Sequence, residues 1–448
     1  MDLNNIKRNQ LDYILTDMLP TELSERFTFF YFYEFLMTKR KELKQMNNFL
    51  ILIKNKYKTG IMFEGGGSGH GGHKGNNWVT MPLKYSIMKE LHTEREISLL
   101  QPIAAVELFA FVSIYQKELI NLLDMNSIFS LRHHHKNNEL CYKNKNKSIT
   151  KYFAVESAQI DKDLIEKTGM FFDIKPYKSI ASFTSSEEWL VLNSKYRYFI
   201  RTDYKACFDS IYTHTFKWLI GKDVNDTKDF KNTNIYTTID RILQNINART
   251  SNGIVVGPEF SRMIAEILLQ AIDRTVYSKL LNSGKAVGEN YNVYRFVDDI
   301  FIFAESEELA NEIVQIYSEI SAKYLLRLNE GKLYKNTVPF VLDEWINETS
   351  IFANRTSACL FRTKEEQEIW LQKEKQNSPE KEVVPHILKS RALYYSKRSI
   401  MNQLNELICE YPSKDRTIVA YFLGTILNKV SRNKENVKIF SEHVTEQT

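Results

Sequence analysis

The stretch Tyr294-Arg295-Phe296-Val297-Asp298-Asp299-Ile300-Phe301-Ile302-Phe303 places two adjacent carboxylates between runs of aromatic and β-branched residues. Such residues favour β-strands, and an Asp pair tolerates a tight turn. The pattern therefore predicts a β-hairpin with both acids at its tip. Acids held this close repel each other unless a cation bridges them. A solvated turn is the alternative. One Asp-Asp pair by itself does not distinguish a solvated turn from a metal site.

A second acidic position follows a predicted strand at residues 196–202. Asp203 comes directly after this strand, and Phe208 and Asp209 follow it in the chain. An acid at the end of a strand and beside an aromatic ring is a place where a metal ion and a sugar can meet. Asp209 has a different expected role, which is to order the following turn or to cap a helix predicted at residues 211–220.

A turn with two glycines lies between the two acidic strands, and it reads Gly253-Ile254-Val255-Val256-Gly257-Pro258. An amphipathic helix follows, with apolar residues up to Ala271. Glycines before a helix let a ligand approach the backbone closely. A glycine turn alone is a weak indication, and its place between two acid-bearing strands gives it weight.

Three further features surround this region. Pro102 opens a long predicted helix, and residues 309–326 form another. Lys84 and Arg95 precede Pro102 in a predicted hairpin, where they could hold a triphosphate or be plain surface charges. The run His133-His134-His135 cannot place all three rings on one face of a helix or strand. It favours a surface or nucleic-acid contact over a metal cluster.

Composition and charge describe an ordinary globular chain. The 448 residues are 43% hydrophobic and 26% charged, which fits two or three domains. The net charge is +5, with lysines dense in the first third of the chain, as in a phosphate-contacting surface or a plain solvated one. The glycine-rich stretch at residues 64–77 can hardly hold regular structure, and its His70 and His73 are weak metal candidates.

The expected location is the cytoplasm, without a membrane partner. The cysteines Cys141, Cys207, Cys359 and Cys409 form no C-x-x-C pair, which argues against a zinc ribbon or disulfide framework and fits a reducing compartment. No apolar run approaches the roughly 18 residues that span a bilayer, and the first residues lack the apolar core of a signal peptide.

Taken in chain order, these motifs resemble those of the palm of reverse transcriptases. Residues 203–209 (DYKACFD) resemble the family's D-x-x-x-x-F-D motif, residues 253–262 its glycine turn, and residues 296–299 (FVDD) its Y-x-D-D box. Residues 326–332 (LRLNEGK) are similar to the L-x-L-N-x-x-K stretch that follows, and Val338-Pro339-Phe340 resembles the start of the primer grip. Two departures stand out, Val255-Val256 in place of Pro-Gln and Phe296 in place of Tyr.

A subfamily is also indicated by resemblance. The chain looks like the abortive-infection and defence-associated reverse transcriptases of bacteria in several short stretches. These are residues 212–214 (YTH), Trp218, Gly221-Lys222, Ser261-Arg262 after the glycine turn, and residues 12–20 (DYILTDMLP). That resemblance implies protection against phage and DNA synthesis with a relaxed need for a template or an ordinary primer. Some members of that group join DNA to their own side chain.

The resemblance implies an α+β fold, a right-hand polymerase with fingers, a palm built on an antiparallel sheet, and a helical C-terminal region. The expected domains are an N-terminal helical region with the glycine-rich loop at 1–77, fingers at 78–194, the palm at 195–345 and a thumb-like helical region at 346–448. The expected partners are dNTPs, a DNA product and an RNA template or associated non-coding RNA. Assembly of several copies is left open.

Nucleotidyl transfer by such a palm uses two Mg²⁺ ions, with Mn²⁺ as an alternative, and hard oxygen ligands suit both. Asp203, Asp298 and Asp299 are the expected ligands. Lys332 would protonate the leaving pyrophosphate. The expected nucleotide-binding residues are Lys84, Arg95, Phe208, Gly257, Ser261 and Arg262. The ring of Phe208 would exclude a ribose 2′-OH, with a place in the core as the alternative.

Three other functions remain open at this stage. An RNA-synthesising polymerase would use the same acids. A catalytically inactive scaffold that binds nucleic acid would have no need to keep three acids together. A two-metal phosphodiesterase would hydrolyse its substrate, and the His ligands expected of it are missing.

Overall fold

The computed structural model describes residues 5–7, 13–14, 17–20, 29–38, 79–90, 93–124, 127–136, 141–143, 171–221, 234–340, 342–377, 387–389 and 392–430. Most of the expected N-terminal region, including the glycine-rich loop, lies outside these residues. The strands are β1 (Asn5–Lys7), β2 (Leu83–Glu90), β3 (Thr93–Leu99), β4 (Arg132–Lys136), β5 (Cys141–Lys143), β6 (Phe172–Pro176), β7 (Tyr198–Thr202), β8 (Tyr291–Phe296), β9 (Asp299–Ala304) and β10 (Tyr334–Thr337).

The helices follow the same chain order. They are α1 (Phe30–Thr38), α2 (Pro102–Asp124), α3 (Ile180–Thr184), α4 (Glu187–Lys195), α5 (Cys207–Ser210), α6 (Thr215–Trp218), α7 (Ile235–Asn245), α8 (Glu259–Asn282), α9 (Glu307–Lys323), α10 (Glu344–Leu360), α11 (Lys364–Asn377), α12 (Ala392–Glu410) and α13 (Asp415–Val430). Single 3₁₀ turns lie at Glu330–Lys332 and Pro412–Lys414.

The central feature is a four-stranded antiparallel sheet in the order β10-β7-β9-β8. The hairpin predicted around the Asp pair is confirmed, because β8 and β9 pair in register from Tyr291 opposite Ala304 to Phe296 opposite Asp299. The strand predicted before Asp203 is confirmed as β7 and is hydrogen-bonded to β9. The fold class is therefore the predicted one, an antiparallel palm sheet combined with helices.

Both faces of this sheet are covered. On one face, Ile300 and Ile302 of β9 pack in the main core with the apolar sides of α8 and α9. On the other face, Phe301 and Phe303 meet the ring of Trp189 from α4, at centroid distances of 6.3 and 5.2 Å. Because side chains alternate across a strand, this burial on both sides explains why β9 is a continuous apolar run.

The predicted helix at 211–220 is wrong for most of its length. Only the short helix α6 forms there. The backbone of Thr213 donates to the Ser251 carbonyl at 2.8 Å, and Tyr212 forms an antiparallel bridge with Asn252. These pairings hold Tyr212 and Thr213, at the start of the predicted helix, in an extended conformation against the glycine turn. The periodic apolar residues there are buried by packing without forming a helix. The helices predicted from Pro102 and around 309–326 are confirmed as α2 and α9.

The chain divides into two compact units, residues 1–88 with 94–340 and residues 89–93 with 341–448. The second unit is a group of helices with its own apolar core, in which the rings of Phe352 and Phe422 stack at 4.7 Å. In the described part of the chain, no helix combines the length and the apolar character needed to cross a bilayer.

One buried cation connects the hairpin to α8. The guanidinium of Arg295 is 0% exposed, and it donates to Asp273 Oδ2 at 2.8 Å, Glu266 Oε1 at 2.8 Å and the Val297 carbonyl at 2.9 Å. Tyr317 of α9 donates to the other Asp273 oxygen at 2.9 Å. Burial opposes ionisation of Glu266, but the Arg295 charge still holds the pKa of Glu266 below its usual range.

We expect Arg295→Met to lower the free energy of unfolding by about 3–5 kcal/mol, because it leaves two buried carboxylates without their cation. The matched control is Lys279→Met, which removes the solvent-exposed pair with Glu319 and should leave the free energy of unfolding close to that of wild type. Urea denaturation followed by circular dichroism compares the two variants. Equal losses would contradict the assigned role of Arg295.

Candidate active site

Asp203 lies where β7 leaves the palm sheet. Register pairs Thr202 with Ile300, so one further step along the two antiparallel strands brings Asp203 opposite Asp299. Asp203 is 6% exposed, and its Oδ1 is buried without a hydrogen-bond partner among the described residues. A buried carboxylate oxygen normally accepts a hydrogen bond or binds a cation, and Asp203 Oδ1 does neither with the described residues.

Lys332 reaches Asp203 because the segment before it pairs with the first motif. The Asn329 backbone donates to the Asp203 carbonyl at 2.8 Å, and Tyr204 bridges to Leu328. The 3₁₀ turn then carries Lys332 Nζ to 2.6 Å from Asp203 Oδ2. The hydrogen bond to Asp203 raises the pKa of Lys332. The structure thus joins the stretch 326–332 to the first acid.

The Asp pair occupies the tip of the β8–β9 hairpin. Val297, directly before it, has a φ of 56°, which is a left-handed conformation that costs a β-branched residue about 1–3 kcal/mol. Arg295 Nη1 donates to the Val297 carbonyl and holds this turn. Asp299 Oδ1 accepts from Arg201 Nε at 3.2 Å and Nη2 at 3.0 Å.

Both hairpin acids titrate above their usual range. Burial raises the pKa of Asp298, and the neighbouring Asp299 and Asp203 charges raise it further. Burial also raises the pKa of Asp299, although Arg201 opposes the shift. The negative charge of Asp203 thus acts on both hairpin acids and opposes their ionisation.

The donor set fits Mg²⁺ or Mn²⁺. All three candidate ligands are carboxylates, which hard divalent ions prefer. The buried Asp203 Oδ1 accepts no hydrogen bond from the described residues, so its lone pairs are available to an ion. Asp203 and Asp299 are contacted by Lys332 and Arg201, so ion binding would replace part of these contacts. Asp298 has no side-chain partner among the described residues, which leaves its carboxylate available.

The glycine turn lies against the first motif. The Ile254 backbone donates to the Phe208 carbonyl and Gly253 to that of Ile211, both at 2.9 Å. Gly253 has a φ of 79°, and a Cβ there would lie 3.2 Å from the Asp209 carbonyl oxygen. The turn therefore needs glycine for its own conformation and for its close approach to the first motif.

Position 257 requires glycine because neighbouring side chains leave no room for a Cβ, and not because a ligand approaches the backbone there, as the sequence suggested. Its φ is 129°, and a Cβ would lie 2.6 Å from Pro20 Cγ and 3.1 Å from Ile97 Cγ2. The space beside Gly257 is filled by these two side chains. The absence of a side chain at Gly257 thus allows Pro20 and Ile97 to pack against its backbone.

The other predicted nucleotide contacts differ in their surroundings. Phe208 is half-buried and packs against the main core. Ser261 is fully buried in α8, and its hydroxyl has no partner among the described residues, so it offers no surface to a nucleotide. Arg262 Nη1 donates to Glu259 Oε2 at 3.1 Å, and the buried Arg132 contacts the other oxygen of Glu259.

Lys84 and Arg95 lie on the β2–β3 hairpin that the sequence predicted. Lys84 Nζ forms an exposed ion pair with Glu96 at 2.6 Å, and Arg95 is exposed. The base of this hairpin joins the glycine turn, because Ser98 donates its backbone N–H to the Val256 carbonyl at 2.8 Å. The hairpin is therefore continuous with the motif region at its base.

Sequence reasoning missed Arg201 and Arg295. Arg201 is the second residue before Asp203 on a strand, and Arg295 is the third residue before Asp298, so both stand beside motif acids. A basic residue that flanks an acidic motif inside an apolar strand is the signal that could have found them, because a charge there needs a counter-charge.

Residues 130–351 match the family model described as reverse transcriptase (RNA-dependent DNA polymerase). No curated protein matches the chain by sequence.

Solved structures of telomerase are similar to the chain at low scores. Telomerase from Candida albicans, in complex with a fragment of telomeric RNA, has 12% identity and a TM-score of 0.31, and covers 81% of this chain. Two apo telomerase structures from Candida tropicalis, one of them truncated, have 15% identity, TM-scores of 0.31 and 0.32, and cover 58% and 65% of this chain. The chain spans 64%, 51% and 49% of those three chains, respectively.

We expect Asp298→Asn to raise the melting temperature at pH 7 without divalent ions. The raised pKa means that ionised Asp298 destabilises the folded state. The gain should shrink as the pH falls from the folded-state pKa towards the unfolded value of about 3.9, where the carboxyl is protonated in both states. Thermal denaturation across this range, with and without Mg²⁺, measures the effect.

The matched control is Asp209→Asn. The helix cap predicted for Asp209 is not formed, because α5 and α6 begin after Ala206 and His214 without a side-chain cap, and Asp209 is exposed. The substitution should therefore leave the melting temperature unchanged. Mg²⁺ should stabilise wild type and the control variant, and stabilise Asp298→Asn less. A lower melting temperature for Asp298→Asn at pH 7 would overturn this account of the site.

Proposed function

We propose that the chain is a reverse-transcriptase-type DNA polymerase that adds dNTPs by two-metal nucleotidyl transfer and acts in bacterial defence against phage. The observation that carries the proposal is the coupled group of Asp203, Asp298 and Asp299 at one end of the palm sheet. Asp203 Oδ1 is buried and has no hydrogen-bond partner in the described part of the chain, and the pKa values of Asp298 and Asp299 are raised. A site arranged in this way is more stable with a cation than without one.

The acids would hold two Mg²⁺ ions, which when bound activate the attacking hydroxyl and neutralise charge on the leaving pyrophosphate. Asp203 Oδ1 has no hydrogen-bond partner among the described residues, and the Asp298 carboxylate contacts no other side chain there. We therefore assign these two acids as the first ligands. Asp299 would join them when Arg201 gives way. Lys332 keeps its proton through its contact with Asp203, and we assign it the transfer of that proton to pyrophosphate.

Nucleotide binding is assigned to surfaces on both sides of the acids. Phe208 stands on the first motif, beside the glycine turn, where its ring would meet the 2′ position of an incoming sugar. Arg262, and Lys84 and Arg95 of the hairpin, supply cations for the triphosphate. The proposed partners are dNTPs, the DNA product and an RNA template or associated RNA.

The role in defence and the relaxed use of template or primer rest on the resemblance of residues 212–214 and their neighbours to defence-associated reverse transcriptases. Val255-Val256 on the glycine turn fits this proposal. Where ordinary family members have Pro-Gln, this turn has Val255, which is buried in the core, and the half-buried Val256, whose carbonyl accepts a hydrogen bond from the Ser98 backbone. We therefore expect this turn to check the base pair between the template and the incoming nucleotide differently from the Pro-Gln turn.

A scaffold that binds nucleic acid without catalysis is the second candidate, and one observation favours it. Lys332 and Arg201 each contact a motif acid, so two of the three charges are balanced by the protein's own cations. A palm in this state is stable without metal. If the chain is such a scaffold, substitution of Asp203, Asp298 or Asp299 should change the stability of the protein and leave nucleic-acid binding without any polymerase activity to lose.

The decisive test is incorporation of labelled dNTPs and NTPs by the purified full chain with Mg²⁺, with and without added template. We expect wild type to make product and Asp298→Ala/Asp299→Ala to lose it by at least about a thousandfold, since transition-state charge is no longer neutralised. Asp209→Asn is the control and should retain activity. Label that stays on the denatured protein would indicate priming from a side chain.

Equal inactivity of wild type and the double variant, with co-purified nucleic acid restored, would favour the scaffold. Preference of wild type for NTPs would favour an RNA polymerase. Release of nucleotides from added nucleic acid without synthesis would instead indicate a phosphodiesterase.

We expect Phe208→Ala to reduce the preference for dNTPs over NTPs by about tenfold or more, because the steric barrier to a 2′-OH is gone. The measurement is the ratio of kcat/KM values for dGTP and GTP. Phe35→Ala is the control, since Phe35 is another half-buried phenylalanine packed against the same core. If both variants leave the ratio unchanged, Phe208 is a core residue only.

A further inference from the structure

The strand β4 separates its three histidines between two faces. His134 is buried and stacks edge-on against Phe172, at a centroid distance of 6.0 Å. His133 and His135 lie on the opposite face and are half-exposed, with ring centroids 6.1 Å apart. Two imidazoles two positions apart on one strand face can hold the same ligand. The sequence favoured a surface or nucleic-acid contact over a metal cluster, and the structure places two of the three rings on one face of the strand.

A carboxylate completes the group. Asp124, at the end of α2, places Oδ2 3.0 Å from His135 Nδ1. One ligand atom each from Asp124, His133 and His135 lie within 4.8 Å of one another. Among the described residues, this is the one set of three or more His, Cys, Asp or Glu side chains that meets that distance.

The orientation of His133 is fixed by a second contact. Its Nε2 lies 2.7 Å from the Ser130 carbonyl oxygen, which can only accept a hydrogen bond. This contact fits the neutral tautomer with its proton on Nε2 and a lone pair on Nδ1. Metal-binding histidines commonly donate their other N–H to a backbone carbonyl in this way, which holds the ring for the metal.

We propose that Asp124, His133 and His135 bind one divalent transition-metal ion of the Zn²⁺ class at the junction of α2 and β4. Two imidazoles and one carboxylate form a three-residue ligand set of the kind that zinc accepts, with a fourth position for water. Imidazole ligands favour Zn²⁺ over Mg²⁺, which prefers oxygen ligands only. This site and the acids of the hairpin therefore select different metals.

The surrounding charges are compatible with a cation. In the β4–β6 register, Lys175 lies opposite His133 and Asp173 opposite His135. Lys175 Nζ is 2.9 Å from Asp173 Oδ2, so this neighbouring pair adds no net charge. The Asp124 carboxylate offsets part of the charge of the ion.

Position suggests what the ion does. Ser130, which orients His133, forms a parallel bridge with Arg295 of β8. Phe129 accepts from the Arg295 N–H at 2.7 Å, and Leu131 donates to the Arg295 carbonyl at 2.8 Å. An ion that ties the end of α2 to β4 would thus stiffen the segment that lies along the acid-bearing hairpin.

The test is zinc titration of the full chain after removal of bound metal, by calorimetry and by elemental analysis after dialysis. We expect one equivalent bound by wild type with a Kd below about 1 μM, loss of at least a hundredfold in His135→Gln and in Asp124→Asn, and a rise in melting temperature with zinc only where binding is kept.

Two controls separate this site from others. His214→Gln removes a half-exposed imidazole outside the cluster and should keep the zinc site. Asp298→Asn/Asp299→Asn should keep zinc binding as well, so the result is independent of polymerase activity. Circular dichroism confirms that each variant is folded.

Zinc binding that survives in both His135→Gln and Asp124→Asn would overturn the proposal. So would binding that appears only at millimolar concentration, or that is lost in the double Asn variant of the hairpin.

Discussion

The buried guanidinium of Arg295 is the interaction on which the rest of the palm depends. It lies on β8, three residues before Asp298, and reaches two carboxylates of α8 and the carbonyl of Val297. Its own backbone is bonded to Phe129 and Leu131. One residue therefore fixes the hairpin to the long helix beneath it, to the segment that leads into β4, and to the strained turn that presents the acids. A charge so deep is stable only because all its partners are in place.

The hairpin acids show the opposite balance. Asp298 and Asp299 are buried enough to have raised pKa values, and Val297 beside them has an unfavourable backbone conformation. The buried acidic charges cost stability in the absence of a cation, and the Val297 conformation costs stability with or without one. The surrounding sheet tolerates them because both its faces are packed, with α8 and α9 on one side and the aromatic rings around Trp189 on the other. A firm support and a destabilised group of acids are what ion-dependent chemistry requires.

Protein cations accompany the acids in the structure. Lys332 pairs with Asp203 and Arg201 with Asp299, and both pairs are partly exposed to solvent. The same pairs balance part of the acidic charge of the site, and they connect the stretch 326–332 and the strand β7 to the motif acids.

Local sequence determined the parts of this protein whose causes are local. Alternating aromatic and β-branched residues around Asp298 and Asp299 specified the hairpin, Pro102 the start of α2, and the periodic pattern after Gly257 the helix α8, because strand and helix preferences act between near neighbours in the chain. The order of the acidic motifs also identified the palm. Tertiary structure alone decided the contacts that join distant segments. Examples are Lys332 with Asp203, Pro20 against Gly257, the extended Tyr212-Thr213 paired with Ser251 and Asn252, and Asp124 brought to His135. No local pattern encodes these contacts, since each depends on how whole strands and helices pack and on which charge or space the packing leaves to be filled.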